Sequence, residues 1–143
     1  MAIPNGNAAE LQTYKLTAAQ KNAVDQIKSL VGPRGYVSKM DEMEPHLVDW
    51  RGVYRGNAEL VCYPINTKEV SDIVKICSAA MMPIVPQGGN TSMCGGSVPL
   101  KNSASIILNL SRMNKIRYLD KNNYTMTVEA GCVLQKLQQL ASD

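Results

Sequence analysis

The sequence lacks the features that mark nucleic-acid-binding, membrane-spanning and secreted proteins. Its net charge is only +3. It contains no block of lysine and arginine and no basic segment interleaved with aromatic residues, so we expect no nucleic-acid partner. The longest apolar run is far shorter than a membrane span. The N-terminus has neither a secretory signal nor the arginines of a mitochondrial presequence, which predicts a cytoplasmic location.

Cysteine and histidine are sparse as well. The four cysteines are widely spaced with no C-x-x-C pair, which argues against a structural zinc site, and we predict no metal. We expect Cys62, Cys77 and Cys132 to be small buried residues and Cys94 to be more exposed. The single histidine, His46, is expected to be solvated or to cap a helix. No side chains form a convincing acid/base group, so we predict no catalytic residue.

What the sequence does contain is a series of short apolar strands and amphipathic helices. A capping box, Thr17 with Gln20, predicts a helix that ends at Gly32, whereas residues 34–58 are predicted to be irregular. Strands are predicted at 60–63, 84–85, 105–110, 116–120 and 124–130, and a further helix is predicted near Val133. Thr67 is predicted to cap another helix, whose apolar face would consist of Val70, Ile73, Val74, Cys77 and Met81. The last helix has no C-terminal capping signal, so we expect a piece of a longer polypeptide, with an intact small α+β domain as the alternative.

One loop stands out between two predicted strands. It reads PQGGNTSMCGGSVP, residues 86–99, and we call it the glycine loop. It places four glycines within nine residues, although glycine costs folding entropy. Bare backbone N–H groups suit a phosphate, and the side chains of Asn90, Thr91, Ser92 and Ser97 would add donors. The pattern is neither G-x-x-x-x-G-K-[ST] nor G-x-G-x-x-G, so neither a P-loop nor a Rossmann site is indicated. A tight turn that needs positive φ angles remains an equal alternative.

Three segments in succession shift this balance. VPQGGNTSMCGGSVP, IILNLSRMNKIRYLD and TVEAGCVLQKL resemble FAD-linked oxidases of the vanillyl-alcohol oxidase/PCMH fold. The resemblance is strongest to D-2-hydroxyglutarate dehydrogenase, D-lactate dehydrogenase and the glycolate oxidase FAD subunit. It begins near Asp49 and departs slightly from the family at Ser92 and Cys94. It implies an α+β fold, a PCMH-type FAD-binding domain whose N-terminal subdomain has a small mixed sheet flanked by helices. Residues 1–48 would be an N-terminal extension with one helix, and residues 49–143 the first part of the FAD-binding domain.

The same resemblance implies FAD as the cofactor and the glycine loop as the site of its pyrophosphate. Backbone N–H groups of the loop would bind the pyrophosphate, and the first two loop residues would lie beside the flavin, with Gly131 as a weaker candidate. The implied cofactor-binding residues are Pro86, Gln87, Gly88, Gly89, Asn90, Thr91, Ser92, Gly95, Gly96, Ser97 and Gly131.

The activity implied by the resemblance is oxidation of a D-2-hydroxy acid to the 2-oxo acid. Electrons would pass to a quinone, a cytochrome or an electron-transfer flavoprotein, and the full-length protein would be a homodimer, cytoplasmic or peripheral to the inner membrane. Its catalytic residues would lie downstream of this sequence. The alternatives are another FAD-linked oxidoreductase of the same fold, a non-redox nucleotide-binding module, and a structural domain whose glycines only shape a turn.

Overall fold

The computed structural model describes residues 14–142, which form four helices and six strands. The helices are α1 (Ala18–Val31), α2 (Met40–Leu47), α3 (Thr67–Ala79) and α4 (Leu134–Ser142), and the strands are β1 (Tyr36–Val37), β2 (Leu60–Cys62), β3 (Ile84–Gln87), β4 (Ile106–Asn109), β5 (Ile116–Asp120) and β6 (Thr125–Val128). One sheet has the order β1-β2-β4-β3, and β5 with β6 forms a separate antiparallel hairpin. The predicted α+β architecture with a small mixed sheet is confirmed.

Strand β4 is the centre of the core. It pairs in parallel with β2 on one side and with β3 on the other, and all four of its residues are buried. Because side chains alternate along a strand, they reach both faces of the sheet. Ile106 and Leu108 pack with buried residues of α1 and α3, whereas Ile107 packs with Met43 and Leu47 of α2. The sheet is therefore covered by helices on both faces.

The helix starts follow from side-chain capping. At α1, Thr17 accepts from the backbone N–H of Gln20 while the Gln20 side chain accepts from the N–H of Thr17, which confirms the predicted capping box. At α3 the predicted cap, Thr67, is wrong by one residue. Asn66 is the N-cap, and its side chain accepts from the N–H of Glu69 at 2.8 Å.

The predicted apolar faces of the helices are only partly correct. On α3, Ile73 and Cys77 are buried but Val74 is exposed, and Met81, also predicted on this face, is exposed beyond the end of the helix. On α4 no residue is buried. Among residues 14–142, no helix combines the length and the apolar character that a membrane crossing requires.

The largest difference from the sequence-based expectation lies in residues 34–58, which were predicted to be irregular. This stretch contains β1 and α2, so the predicted N-terminal extension with one helix holds a second helix and a strand. Since β1 pairs antiparallel with β2, the extension contributes an edge strand to the main sheet. The boundary at residue 48 stays a prediction.

Candidate functional site

Three parallel strands end at the same edge of the main sheet, and polar side chains gather there. Gln87 ends β3, its register partner Asn109 ends β4, and Tyr63 directly follows β2. The glycine loop begins here, because its first two residues are the last two of β3. In open α/β sheets the carboxyl edge of parallel strands is the usual place for a ligand.

The side chain of Gln87 holds the start of the glycine loop in place. The residue is only 2% exposed. The amide nitrogen donates to the carbonyl oxygens of His46 and Ser97, both at 2.9 Å. The amide oxygen faces His46 Nδ1 at 2.6 Å and accepts from Asn109 Nδ2 at 3.4 Å. Because every polar atom of this amide is satisfied, Gln87 is held in one orientation.

Asn90 ties the middle of the glycine loop to the C-terminal end of α2. Its amide nitrogen donates to the carbonyl oxygens of Pro45 (3.2 Å) and Val48 (2.7 Å), and its amide oxygen accepts from the Ser97 hydroxyl at 2.8 Å. Carbonyls at a helix C-terminus have no partner within the helix, so they are natural acceptors for such amides. The Asn90 and Ser97 side chains therefore donate within the protein in this structure, and their part in binding a phosphate stays a prediction.

Three glycines of the loop are not explained by backbone conformation. Gly88, Gly89 and Gly96 do not adopt the positive φ angles that exclude other residues. A Cβ at Gly88 would meet nothing within 4 Å, and one at Gly89 or Gly96 would meet only a side-chain atom at 3.9 or 4.0 Å. Gly95 differs, because it has φ +70° and lies against the Tyr54 ring. The alternative of a tight turn that needs positive φ therefore accounts for Gly95 alone among these four glycines.

The backbone of the same segment offers unused donors. Within residues 14–142, no protein acceptor takes the backbone N–H groups of residues 88–92. Gly88, Gly89 and Thr91 are exposed, and Asn90 has φ +54°, which changes the direction of the chain between them. Consecutive N–H groups around a left-handed residue form a concavity that suits an anion. The loop thus combines free donors with open space where side chains are missing.

Gly131, the weaker candidate, has a structural reason to be glycine. A Cβ there would lie 1.9 Å from the Leu110 carbonyl oxygen, and the Gly131 N–H donates to Met113 O at 2.8 Å. The close approach of two backbone segments excludes any side chain at this position. Its part in cofactor binding stays a prediction.

His46 lies in a different environment from the one expected. It is half-buried under the glycine loop, with Nδ1 on Gln87 and Nε2 2.8 Å from the Tyr63 hydroxyl. Its ring meets the Tyr63 ring edge-on, with the centroids 5.8 Å apart. The expectation of a solvated or helix-capping histidine is wrong. The sequence analysis did not predict α2, and it is α2 that places His46 at the sheet edge.

A turn beside the loop was also missed. Arg51 donates to the carbonyl of Met93 at 2.9 Å, which ties residues 49–54 to the glycine loop. Asp49, 3% exposed, accepts from the Tyr54 N–H at 2.7 Å. Backbone hydrogen bonds, chiefly that from Tyr54, lower the pKa of Asp49 below its ordinary value, so the carboxylate is charged at neutral pH. An aspartate followed by glycine three positions later is a turn signal that sequence reasoning could have used.

The cysteines follow the expected pattern with one exception. Cys62 and Cys77 are buried and Cys94 is exposed, but Cys132 is only half-buried. The Cys132 thiol reaches the carbonyl of Lys115 at the foot of the β5–β6 hairpin.

Comparison with known proteins assigns the chain to a family. A family model described as "FAD binding domain" matches residues 58–143. The chain is 41% identical over 114 residues to the probable mitochondrial D-2-hydroxyglutarate dehydrogenase of Oryza sativa subsp. indica, covering 80% of this chain and 20% of that protein. It is 32% identical over 136 residues to the putative mitochondrial D-lactate dehydrogenase of Schizosaccharomyces pombe, covering 90% of this chain and 26% of that protein. The chain thus spans about a fifth to a quarter of these relatives.

Solved structures of flavoproteins share the fold. An alkyldihydroxyacetonephosphate synthase superposes with a TM-score of 0.75 at 20% identity, over 99% of this chain and 27% of that one. A p-cresol methylhydroxylase superposes with a TM-score of 0.70 at 20% identity, over 89% of this chain and 25% of that one. The fold is therefore that of the PCMH-type flavoproteins. Within this class the chain belongs to the FAD-binding domain family, and its cofactor is FAD. Unpaired backbone donors and missing side chains in the glycine loop fit a diphosphate group.

Proposed function

We propose that this chain is the pyrophosphate-binding part of an FAD-dependent D-2-hydroxyacid dehydrogenase. The observation that carries the proposal is the run of unpaired N–H groups at residues 88–92, beside glycines that backbone conformation does not require. The relatives with 41% and 32% identity are named D-2-hydroxyglutarate and D-lactate dehydrogenases, which supports a D-2-hydroxy acid as the substrate class.

In this proposal the chain binds and orients the cofactor. FAD, when bound, supplies the two-electron acceptor for oxidation of the hydroxy acid to the 2-oxo acid. Residues 88–92 would donate backbone hydrogen bonds to the pyrophosphate, while Gln87 and Asn90 keep that backbone in shape through the carbonyls of α2 and Ser97. Preformed donors cost little to organise when the ligand arrives, which favours tight binding.

We propose no residue among 14–142 as the base or the cation of the chemical step. Oxidation of a hydroxyl requires a base for its proton and a cation for the substrate carboxylate. We therefore place both outside this chain, in the parts of the longer relatives that it does not match. The electron acceptor, whether quinone, cytochrome or electron-transfer flavoprotein, and a homodimeric state are likewise part of the proposal. The cytoplasmic location stays a prediction, and both relatives described above are mitochondrial by name.

A different FAD-linked oxidoreductase of the same fold is the second candidate. The solved neighbours include a p-cresol methylhydroxylase and an alkyldihydroxyacetonephosphate synthase by name, so the fold alone allows several reactions. Sequence identity favours the dehydrogenases, because both curated relatives exceed the 20% identity of the structural neighbours. Dye reduction by the complete enzyme with D- and L-enantiomers of 2-hydroxyglutarate and lactate separates the two candidates. Reduction by a D-2-hydroxy acid is expected, and reduction by neither D-acid would contradict the substrate class.

The pyrophosphate site is tested by Gly89→Asp and Gly89→Asn in the complete enzyme. The two side chains have nearly the same size, and a Cβ at position 89 meets only the Thr91 methyl at 3.9 Å, so both variants should fold. The aspartate places a negative charge against the pyrophosphate and should lower FAD affinity by at least about a hundredfold, because like charges close together in a partly dry site cost several kcal/mol. The asparagine should cost clearly less.

FAD content after gel filtration and FAD titration of the stripped enzyme give the readout, with circular dichroism as the check on folding. A folded Gly89→Asp enzyme that keeps a full complement of FAD would show that the pyrophosphate binds elsewhere. Equal losses for aspartate and asparagine would mean that space at position 89, and not charge, limits binding.

A further inference from the structure

His46 sits at the junction between α2, β2 and the glycine loop. It belongs to the last turn of α2, and its two ring nitrogens contact the side chains that follow β2 and end β3. We propose that His46 is a positioning residue for FAD binding, which holds Gln87 and thereby sets the geometry at the start of the glycine loop. This inference rests on the proposed role of that loop as the pyrophosphate site.

The hydrogen bonds of Gln87 determine which nitrogen of His46 carries the proton. Both N–H groups of the Gln87 amide are donated to carbonyl oxygens, those of His46 and Ser97. The amide oxygen must therefore be the atom that faces His46 Nδ1 at 2.6 Å. An amide oxygen can only accept, so Nδ1 must be the donor.

The same reasoning extends to Tyr63. In neutral imidazole only one nitrogen carries hydrogen, so Nε2 is the acceptor and the Tyr63 hydroxyl donates to it at 2.8 Å. Burial raises the pKa of Tyr63 above its ordinary value, which keeps the hydroxyl protonated and able to donate. The hydrogen bonds thus run in one direction, from Tyr63 through His46 to Gln87 and then to the carbonyl of Ser97.

Loss of the imidazole would release the Gln87 amide. Its oxygen would keep only the 3.4 Å contact from Asn109, in a site where the side chain is almost fully buried. A buried acceptor without a good partner favours rearrangement. If the amide rotated, its oxygen would face the carbonyls of His46 and Ser97, and the link across the loop would break. FAD would then have to order the loop as it binds, which lowers affinity.

The direction of the hydrogen bonds can be tested without any ligand. Nitrogen-15 NMR of the imidazole in the 143-residue chain at pH 8 reports which nitrogen carries hydrogen. We expect the Nδ1–H tautomer, and Tyr63→Phe should leave the Gln87 contact in place but release Nε2 from its donor. A dominant Nε2–H tautomer in the unsubstituted chain would overturn the proposal, whatever the loop binds.

Three substitutions in the complete enzyme test the positioning role. In His46→Asn the amide nitrogen can stand near the place of Nδ1 and donate to Gln87, in His46→Gln the polar atoms reach toward the place of Nε2, and His46→Phe keeps the ring without any donor. We expect the FAD dissociation constant to rise about tenfold in His46→Phe and His46→Gln, and to stay within about threefold of the unsubstituted enzyme in His46→Asn.

The order of the two amide variants separates positioning from a purely structural role. Glutamine is the better helix former, so support of α2 alone would rank His46→Gln above His46→Asn. The proposal requires the opposite order in FAD affinity. Equal affinities for all three variants would overturn it, and so would rescue by glutamine alone. If Gly89→Asp retains FAD, the loop assignment fails instead, and the NMR result still tells whether the His46–Gln87 bond exists.

Discussion

This molecule contains two groups of glycines that differ in what surrounds the place where a Cβ would lie. In the first group, which we call the framework glycines (Gly35, Gly56 and Gly131), an added Cβ would lie 2.3 Å or less from a backbone oxygen. In the second, the loop glycines (Gly88, Gly89 and Gly96), an added Cβ would approach nothing closer than 3.9 Å. The framework glycines must be glycine because neighbouring backbone fills the space that a Cβ would occupy. The loop glycines are glycine although the fold leaves that space open. Open space over an unpaired backbone is what a ligand requires.

The comparison predicts its largest effect at a framework glycine. In Gly56→Ala the new methyl would lie 1.7 Å from the carbonyl oxygen of Pro99, which is backbone and cannot turn away. We expect the free energy of unfolding to fall by about 3 kcal/mol or more, at the upper end of overpacking costs. Urea denaturation followed by circular dichroism measures it. A fall below about 1 kcal/mol would mean that the Gly56–Pro99 approach relaxes easily.

Asn90 joins the two regions, and its substitution should have the next largest effect. Asn90→Ala removes hydrogen bonds to Pro45, Val48 and Ser97 and leaves a non-glycine residue at φ +54°. Asn90→Gly removes the same bonds without the backbone strain. We expect Asn90→Ala to cost about 2 to 3 kcal/mol of unfolding free energy, and Asn90→Gly to cost about 1 kcal/mol less.

The Asn90 pair is read from the same urea curves. Equal losses in both variants would show that the strain at position 90 is negligible. Losses near zero would show that the loop is not anchored to α2 through this side chain.

The sequence was sufficient for elements whose signals are local. The capping box at Thr17 and the apolar run of β4 need no distant partner to be recognised, and both are confirmed. α2 is different, because it contains Pro45 and three acidic residues, and its helical signal is weak. Its stability comes from burial of Met43 and Leu47 against the sheet and from amides of the glycine loop that cap its carbonyls.

The candidate site divides in the same way. The glycine loop was visible in the sequence because clustered glycines are conspicuous, and its family likeness made FAD the expected cofactor. His46 and Arg51 support the loop, and they lie 41 and 42 positions away in the chain from their respective partners, Gln87 and Met93. No local pattern links such distant positions, so the network beneath the loop required the three-dimensional structure. Whether the loop residues bind FAD stays a prediction.

Substitution of a loop glycine should affect binding without loss of stability. Gly89→Ala adds a methyl with room around it and no positive φ, so the free energy of unfolding should change by less than about 1 kcal/mol, with a small gain from the stiffer unfolded chain. FAD affinity should fall about tenfold, or about 1.4 kcal/mol, because the methyl occupies the approach to the backbone. FAD titration of the stripped complete enzyme measures it, and Gly32→Ala, which lies after α1 at φ +69°, is the control for strain alone. Unchanged affinity would remove the distinction between the two groups of glycines.

The smallest expected effect concerns thiol reactivity. Burial raises the pKa of Cys62 to about 12 and that of Cys77 to about 11, so at pH 8 these thiols are protonated and shielded. Cys94 is exposed within the glycine loop, and Cys132 is half-buried outside it.

We expect a thiol reagent to label Cys94 first in the FAD-stripped complete enzyme. Bound FAD should slow that labelling about threefold or more, because it covers the loop backbone and limits its motion. Labelling of Cys132 should respond less, which makes it the internal control, and mass spectrometry of the digested protein reports both sites in one sample. Equal protection of the two cysteines would indicate that FAD stabilises the fold in general. Protection of neither would show that bound FAD does not cover the glycine loop.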